Sequence, residues 1–307
     1  MDGEVTRLLG LDLGGTDVKL VVLEHDEVVA TDTTPTRSEE GPAAVLARLV
    51  ELGSSAGPVD SVGVALPGQV DGDGNALFMP NLHGDWTGTP IAGPLAEGLG
   101  LPVALLNDGH AFALAEARIG AARGARDVVC IVCGTGVGGG LVLDGRLHLG
   151  IDERGGEIGH TTVAPDGDVC GCGNRGCVEA IAGSRAIALA AGKERFADVL
   201  TGARAGESAS LAALERAGRA LGIAVANLAV VLTPERVVVG GGVAEAGELL
   251  LAPLRAEVAT RAGAVTPVDR VKIVPAELGP FAGAIGAALH AADRAPVALA
   301  STQGGST

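Results

Sequence analysis

Short apolar runs rich in Val and Leu alternate along the chain with Ala-rich stretches whose apolar positions recur at helical spacing. Arg7 to Leu13 and Val18 to Leu23 read as strands on either side of the turn Gly14-Gly15-Thr16, and Val28 to Thr31 adds a third. Pro42 to Gly53 reads as a helix with apolar residues at Val45, Leu46, Leu49 and Val50. Val59 to Leu66 is a strand that stops at Pro67-Gly68. Val103 to Leu106 is a short strand leading through Asn107-Asp108 into a helix over Ala111 to Ile119.

The second half repeats this order in kind. Asp127 to Cys133 and Gly139 to Leu143 read as strands, and Asp144-Gly145 signals a hairpin onto Arg146 to Leu149. A long helical stretch, Ala212 to Leu232, carries a predicted break near Gly222. Arg236 to Val239 is a strand before Gly240-Gly241-Gly242. Leu249 to Ala262 is a helix, Val271 to Val274 a strand, and Ala282 to Ala292 a helix of small residues. The small polar tail from Ala298 to Thr307 is expected to be disordered. Each half opens with strand, glycine turn and strand, at Leu9–Leu20 and again at Val129–Val142. No period of about 20 to 50 residues occurs, so the pattern is a domain duplication rather than a solenoid. The stretch from Gly120 to Ala125 is the expected boundary.

Composition sharpens this picture. Gly accounts for 49 of 307 residues and clusters in short loops after apolar runs, so the chain is not collagen-like. Aromatics are only 2% of residues and hydrophobics 47%, which calls for a sizeable aliphatic core. The net charge of −15 argues against nonspecific nucleic-acid binding and against an anionic membrane surface. No run approaches the roughly 18 apolar residues of a membrane span, and the start MDGEVTRLLG has no secretory pattern. A soluble cytoplasmic protein is therefore expected.

Three glycine loops carry candidate chemistry. In Asp12-Leu13-Gly14-Gly15-Thr16, a turn without side-chain cover offers backbone N–H groups to phosphate oxygens. Thr16 adds a hydroxyl, and Asp12 stands where a carboxylate holds a phosphate-bound Mg²⁺ through water. A plain tight hairpin with an incidental Asp is the other reading. Gly134-Thr135-Gly136-Val137-Gly138-Gly139 contains a formal G-x-G-x-x-G, but a dinucleotide site needs a helix next and the following residues look like a hairpin. A second phosphate-cradling turn fits that order better. Gly240-Gly241-Gly242 ends a strand, where bare backbone lets a flat ligand approach; taken alone, those residues read first as a simple strand-to-helix turn.

Asn107-Asp108 joins a strand end to a helix start. There Asp108 is either an N-cap or the base for an acceptor hydroxyl in phosphoryl transfer, and Glu116, two turns on, reads as an ordinary helix charge. His160, Cys170, Cys172 and Cys177 form H-x9-C-x-C-x4-C, a closed tetrahedral set that suits structural Zn²⁺ in a loop of little apolar content. The alternative is three free thiols. Cys130 and Cys133 lie three apart in a strand, face opposite ways and read as small buried hydrophobes. Glu157 and Glu179 flank the metal loop, as oriented carboxylates for vicinal sugar hydroxyls or as solvated charges.

Together the motifs Asp12-x-Gly14-Gly15-Thr16, Leu66-Pro67-Gly68, Asn81-Leu82, Asn107-Asp108, Gly134-Thr135-Gly136-x-Gly138, Glu157-x-x-His160, the Cys170 to Glu179 stretch and Gly240-Gly241-Gly242 resemble sugar kinases of the ROK family, close to its bacterial glucokinases. The likeness runs from about Leu9 to Ala292. It implies a duplicated actin-like, hexokinase-like (ribonuclease H-like) α/β fold with two domains around a cleft. The smaller domain would hold residues 1–119 plus a returning 280–307, and the larger, residues 120–279, would carry the zinc loop. It further implies ATP- and Mg²⁺-dependent phosphorylation of a hexose, usually at the 6-hydroxyl, by a homodimer or homotetramer. Asp108 is then the catalytic base. Asn107, Glu157, His160 and Glu179 are sugar contacts, with Gly68 and Asn81 also lining the sugar pocket and His160 serving zinc and sugar through its two ring nitrogens. The three glycine loops serve the nucleotide.

Two positions depart from the family pattern. The sugar loop reads Asn81-Leu82-His83-Gly84-Asp85-Trp86, with Asp85 extra, and His110 stands where an Asn is usual. These bear on which hexose is used: glucose is the first expectation, with N-acetylmannosamine, fructose or allose as acceptor and polyphosphate as donor the alternatives. A sugar-sensing repressor of the same family would need a DNA-binding helix pair ahead of the first strand. That strand begins near Arg7, and the net charge is −15, so this reading is disfavoured.

Overall fold

The computed structural model describes residues 6–294. The predicted tail from Ala298 lies outside them. Two five-stranded sheets organise the chain. In the first, β1 (Arg7–Leu13), β2 (Asp17–Glu24), β3 (Glu27–Pro35), β4 (Ser61–Leu66) and β7 (Val103–Asn107) lie in the order β3-β2-β1-β4-β7. The helices α1 (Pro42–Ser54) and α2 (Ala92–Leu99) and a small hairpin of β5 (Gln69–Val70) and β6 (Ala76–Phe78) sit within this stretch, and α3 (Asp108–Arg118) follows β7. The second sheet runs β10-β9-β8-β11-β12, from β8 (Val128–Cys133), β9 (Val137–Leu143), β10 (Arg146–Leu147), β11 (Arg236–Gly240) and β12 (Lys272–Pro275). Between its hairpin and β11 come α4 (Glu179–Ala182), α5 (Ser184–Ala190), α6 (Phe196–Arg204) and α7 (Ser208–Leu232). Helix α8 (Glu248–Ala262) precedes β12, and α9 (Ala282–Asp293) closes the described chain.

The two sheets share one topology. In each, the first strand pairs antiparallel with the next, as Leu13↔Val18 and Cys133↔Val137, and parallel with a later one, as Gly10↔Gly63 and Cys130↔Val238. That correspondence bears out the duplication read from the sequence. The chain separates into two compact units: Phe112–Ala282, and the described residues on either side of it. Each has its own aliphatic core. Leu9, Leu11 and Leu13 meet Val45, Leu49, Val62 and Val64 in the first; Val129, Ile131, Leu214, Leu221, Val237 and Leu254 meet in the second. Strands buried on both faces explain why the runs are continuous rather than alternating.

Several sequence boundaries match closely. β1 spans Arg7–Leu13 as expected, and α1 ends one residue past Gly53. Asp144 and Gly145 have φ of 53° and 75°, the left-handed pair that a two-residue hairpin turn requires. The expected break at Gly222 is absent, because α7 runs unbroken for 25 residues. Gly222 instead faces α8, where a Cβ would lie 2.7 Å from the Leu254 carbonyl oxygen, so the glycine permits close helix packing rather than a kink.

Candidate active site

In the first unit, the ends of β1, β4 and β7 gather one group of predicted residues. Asn107 caps α3: its Oδ1 accepts the N–H of Gly109 at 2.9 Å and of His110 at 3.3 Å. Its Nδ2 donates to the Gly68 carbonyl at 3.1 Å. The cap is therefore Asn107, not Asp108, which is the half-buried first residue of the helix with Oδ1 2.7 Å from the Gly109 nitrogen. Gly68 has φ of 144° and lies against Pro80, where a Cβ would come within 2.9 Å of the ring; only glycine fits there. Asn81, next in the chain, is left-handed at φ 66°, and its carbonyl oxygen lies 2.9 Å from where a Cβ on Gly15 would stand. The Gly68, Asn81 and Asn107-Asp108 segments and the first glycine turn are thus neighbours.

That turn is built on the hairpin of β1 and β2. Gly14 N–H donates to the Asp17 carbonyl at 3.0 Å, while Thr36 donates its hydroxyl to Gly14 O at 2.6 Å and its N–H to Thr16 O at 2.7 Å. Among the described residues no hydrogen bond uses the N–H of Gly15 or Thr16. Asp12 lies near the end of β1, its side chain 15% exposed, with Lys19 Nζ 3.8 Å away. Burial raises the Asp12 carboxyl above the usual range, and the Lys19 charge pulls it part of the way back. One carboxylate of this kind fits an outer-sphere hold on a phosphate-bound Mg²⁺ and is too few for a direct oxygen cage.

In the second unit the Cys133↔Val137 pair closes a hairpin around Gly134, Thr135 and Gly136, and Gly138 continues in β9. The formal dinucleotide motif thus runs into a strand, as the sequence reading held. Gly134 N–H donates to the Gly136 carbonyl at 2.9 Å, and Val137 N–H to Glu179 Oε2 at 3.0 Å. Thr135 and Gly136 keep N–H groups that no hydrogen bond among the described residues uses. The third loop is adjacent, because Gly241, at φ 81°, packs on the Cys133 carbonyl. Gly240 packs on the Phe112 ring, 2.7 Å from its Cε2 to a built Cβ, so its smallness serves packing. Gly242 alone has open space around it.

His160, Cys170, Cys172 and Cys177 converge, with one ligand atom of each within 4.8 Å of all the others. His160 Nδ1 lies 3.7 Å from Cys170 Sγ, and the Cys172 and Cys177 sulfurs are 3.7 Å apart. The ligand edges of a tetrahedral zinc with bonds of about 2.0 to 2.3 Å are about 3.6 to 3.8 Å long, so the donor set fits Zn²⁺ in both chemistry and spacing. Burial pushes the Cys170 thiol up to about 12 and raises Cys177, whereas the Asn174 backbone hydrogen bond lowers Cys172. A bound metal displaces those protons and its affinity depends on pH accordingly. With Nδ1 turned to the sulfurs, His160 keeps Nε2 for another partner. Glu157 is exposed just ahead of the turn Ile158–His160, and Glu179 Oε1 lies 3.5 Å from Cys170 Sγ.

Cys130 and Cys133 are fully buried, and burial raises both thiols, Cys133 to about 12, as expected of inert packing residues. Glu116 corrects the sequence reading. It is fully buried, and its carboxylate accepts the N–H of Ala121 at 2.8 Å and of Leu278 at 3.0 Å, with Glu277 N–H at 3.1 Å. The missed signal was its place four residues after Phe112, on the buried side of an apolar helix.

A ROK family profile matches residues 8–294. The chain belongs to the ROK family. It is 36% identical over 308 residues to a glucokinase of Thermotoga maritima, covering 92% of this chain and 96% of that one. An N-acetylmannosamine kinase of Haemophilus influenzae is 34% identical over 77% of this chain and 81% of its own length. Among solved structures, a ROK family glucokinase from Streptomyces griseus in complex with glucose and AMPPNP superposes with a TM-score of 0.82, at 30% identity, over 94% of this chain and all of that one. The ROK assignment carries the actin-like, hexokinase-like fold with it, and the matched sheet topologies are its signature here.

Against the ROK pattern, the two departures have local structural roles. Asp85 is exposed, its Oδ1 accepts Thr87 N–H at 2.9 Å, and hydrogen bonds from Thr87 hold its carboxyl below the usual range. His83 Nδ1 is 2.9 Å from Ser38 Oγ, and its carbonyl accepts the Trp86 indole N–H at 3.1 Å. His110 is 1% exposed, which favours the packing role over sugar contact. Among the described residues no helix is long and apolar enough to cross a membrane.

Proposed function

We propose that this ROK chain is a hexose kinase that transfers the γ-phosphoryl group of ATP to a sugar hydroxyl, with glucose the first candidate acceptor and its 6-hydroxyl the site. The observation that carries this reading is the division of labour at the β7–α3 junction. Asn107 takes the helix cap and donates to the Gly68 carbonyl, and Asp108 follows it as the half-buried first residue of α3, among the residues that the family pattern assigns to sugar. Kinship with glucokinases at 36% identity supports the same reaction.

In this reading the sugar is held by Asn107, Glu157, His160 through Nε2, and Glu179, with Gly68 and Asn81 completing the pocket. Asp108 accepts the proton of the attacking hydroxyl, and its charge orients that hydroxyl for in-line attack. The turns at Gly14-Gly15-Thr16 and at Gly134-Thr135-Gly136-x-Gly138 receive phosphate oxygens on bare N–H groups, and Gly240-Gly241-Gly242 lets the nucleotide approach the backbone. Mg²⁺ that arrives with ATP neutralises phosphate charge, and Asp12 is the residue to hold it through water. Zn²⁺ on His160, Cys170, Cys172 and Cys177 supports the loop that carries His160 and Glu179. Positioning and electrostatics account for most of the rate in phosphoryl transfer of this kind. We further propose that the protein works in the cytoplasm as a homodimer or homotetramer.

The N-acetylmannosamine kinase relative favours a second acceptor. A coupled ADP-release assay over glucose, N-acetylmannosamine, fructose and allose, with ATP or polyphosphate as donor, decides among them. Glucose with ATP is expected to give the highest kcat/KM, and no turnover of any hexose would refute the kinase reading.

A further inference from the structure

Glu179 follows the ligand Cys177 by two residues and opens the short helix α4. A carboxylate meant only for sugar would point its oxygens toward the ligand. Here Oε2 accepts the Val137 N–H at 3.0 Å, the first backbone N–H past the second glycine turn. A side chain on Gly136 would overlap that same oxygen, so the turn lies directly on the carboxylate. The rest of the turn rests on neighbouring chain. Ser184 N–H donates to the Gly134 carbonyl at 2.9 Å, and a Cβ on Gly183 would stand 2.9 Å from the Thr135 carbonyl. On the other flank, Gly159, one residue before the ligand His160, packs against the Val137 carbonyl.

We propose that Glu179 is a positioning residue for the phosphate donor: its carboxylate fixes the 134–138 turn in the shape that receives nucleotide phosphates, in addition to any sugar contact. The inference rests on the reading of that turn as a phosphate cradle. The physical logic is one of allocation. An anionic acceptor beside an anion-binding turn repels the ligand unless the turn's own N–H groups satisfy it. By taking the Val137 N–H, Glu179 satisfies its charge at the exit of the turn and leaves the N–H groups of Thr135 and Gly136, which no hydrogen bond among the described residues uses. The metal loop lies next to the same carboxylate, with Cys170 Sγ 3.5 Å from Oε1. A sugar hydroxyl that binds the same carboxylate then shares it with the turn, so acceptor and donor affinities are coupled and, by linkage, reciprocally so.

The test is the Kd for MgATP in the absence of sugar, by titration calorimetry on the zinc-loaded full chain, for wild type, E179A, E179Q and G136A. Metal content and Tm of each variant are recorded alongside. E179A is expected to bind MgATP about tenfold or more weakly, the effect of losing a hydrogen bond to a charged group. E179Q keeps an amide oxygen for Val137 N–H and is expected to stay within about threefold of wild type. G136A displaces the carboxylate from the other side of the contact and is expected to match E179A, so the inference stays testable if E179A does not fold. Unchanged MgATP affinity in E179A, or in G136A, overturns the proposal and leaves Glu179 to the sugar alone. A wild-type chain that binds no MgATP overturns the phosphate-cradle reading itself and this inference with it.

Discussion

The first and second glycine turns occupy the same place in two copies of one topology, yet they are supported by different means. The turn at 14–16 is held by its own sheet: β3 is nine residues long, and Thr36, just beyond it, reaches back to Gly14 and Thr16. In the other copy β10 is only two residues long, and among the described residues no hydrogen bond runs from it to Gly134–Gly136. Support comes instead from Glu179 and Ser184, just past the cysteine cluster. A loop with so few apolar side chains has little hydrophobic burial to order it, and in the proposed reading a metal on His160, Cys170, Cys172 and Cys177 would supply that order. The copies differ in chemistry as well. β7 ends at Asn107 and is followed by Asp108, whereas its counterpart β12 ends at Pro275 and is followed by Ala276. Duplication supplied two similar frames, and only one carries the acid.

Four experiments break or sharpen this comparison. The largest effect is expected from D108N, which removes the acid from the copy that has it. Turnover should fall by about 10²-fold or more, the usual worth of general-base catalysis, with sugar affinity by calorimetry nearly unchanged. Retention of more than about a tenth of wild-type kcat would show that the asymmetry between the copies is not catalytic.

Next in size is C172S, which attacks the support of the second turn alone. It should lose most bound zinc by elemental analysis and at least about tenfold in activity, as altered metal sites commonly do. Proteolysis should open the 160–180 loop while the first unit stays protected. Full activity in metal-free protein would remove zinc from the account. T36V makes the matching cut in the first copy. One lost hydrogen bond from Thr36 to Gly14 is worth about 0.5 to 1.5 kcal/mol. KM for ATP should rise several-fold with zinc content unchanged, and a loss of zinc in T36V would contradict the separate supports.

The smallest effect is one of pH. Burial raises the Asp12 carboxyl and Lys19 partly offsets this. In the proposed role Asp12 would hold Mg²⁺ as the carboxylate, so activity should fail on acidification sooner than with an exposed Asp. Removing the cation in K19M raises the carboxyl further and should move the acidic limb of kcat/KM to higher pH. Because burial disfavours the charged form, the stability contribution of Asp12 is greatest at low pH and is lost as pH rises through its raised value. D12N should therefore keep or raise Tm at neutral pH. A lower Tm would contradict the burial account.

Much of this was legible in the chain. The hairpin turn at Asp144-Gly145, the strands β1 and β8 and the cysteine spacing each have a local cause, so local pattern was enough. Helices α2, α4 and α5 were missed because they are short and rich in Ala or Gly, whereas α6 carries a stripe at Phe196, Val199, Leu200 and Ala203 that is legible in the sequence but short. Gly222 looked like a breaker because its reason lies in α8, more than 30 residues on. Glu116 looked like a surface charge because its partners, at 121 and 277–278, are invisible without the fold. The link from Glu179 to Val137 spans 42 residues and leaves no mark in the spacing of either motif.

The central claim concerns Asp108, and the most direct measurement is a crystal structure with glucose and a non-hydrolysable ATP analogue. The account predicts a carboxylate oxygen of Asp108 within about 2.6 to 3.2 Å of the sugar 6-hydroxyl, with the analogue's terminal phosphate on the turns at Gly15 and Gly136. A bound sugar with no hydroxyl near Asp108, or a terminal phosphate away from both turns, would contradict it.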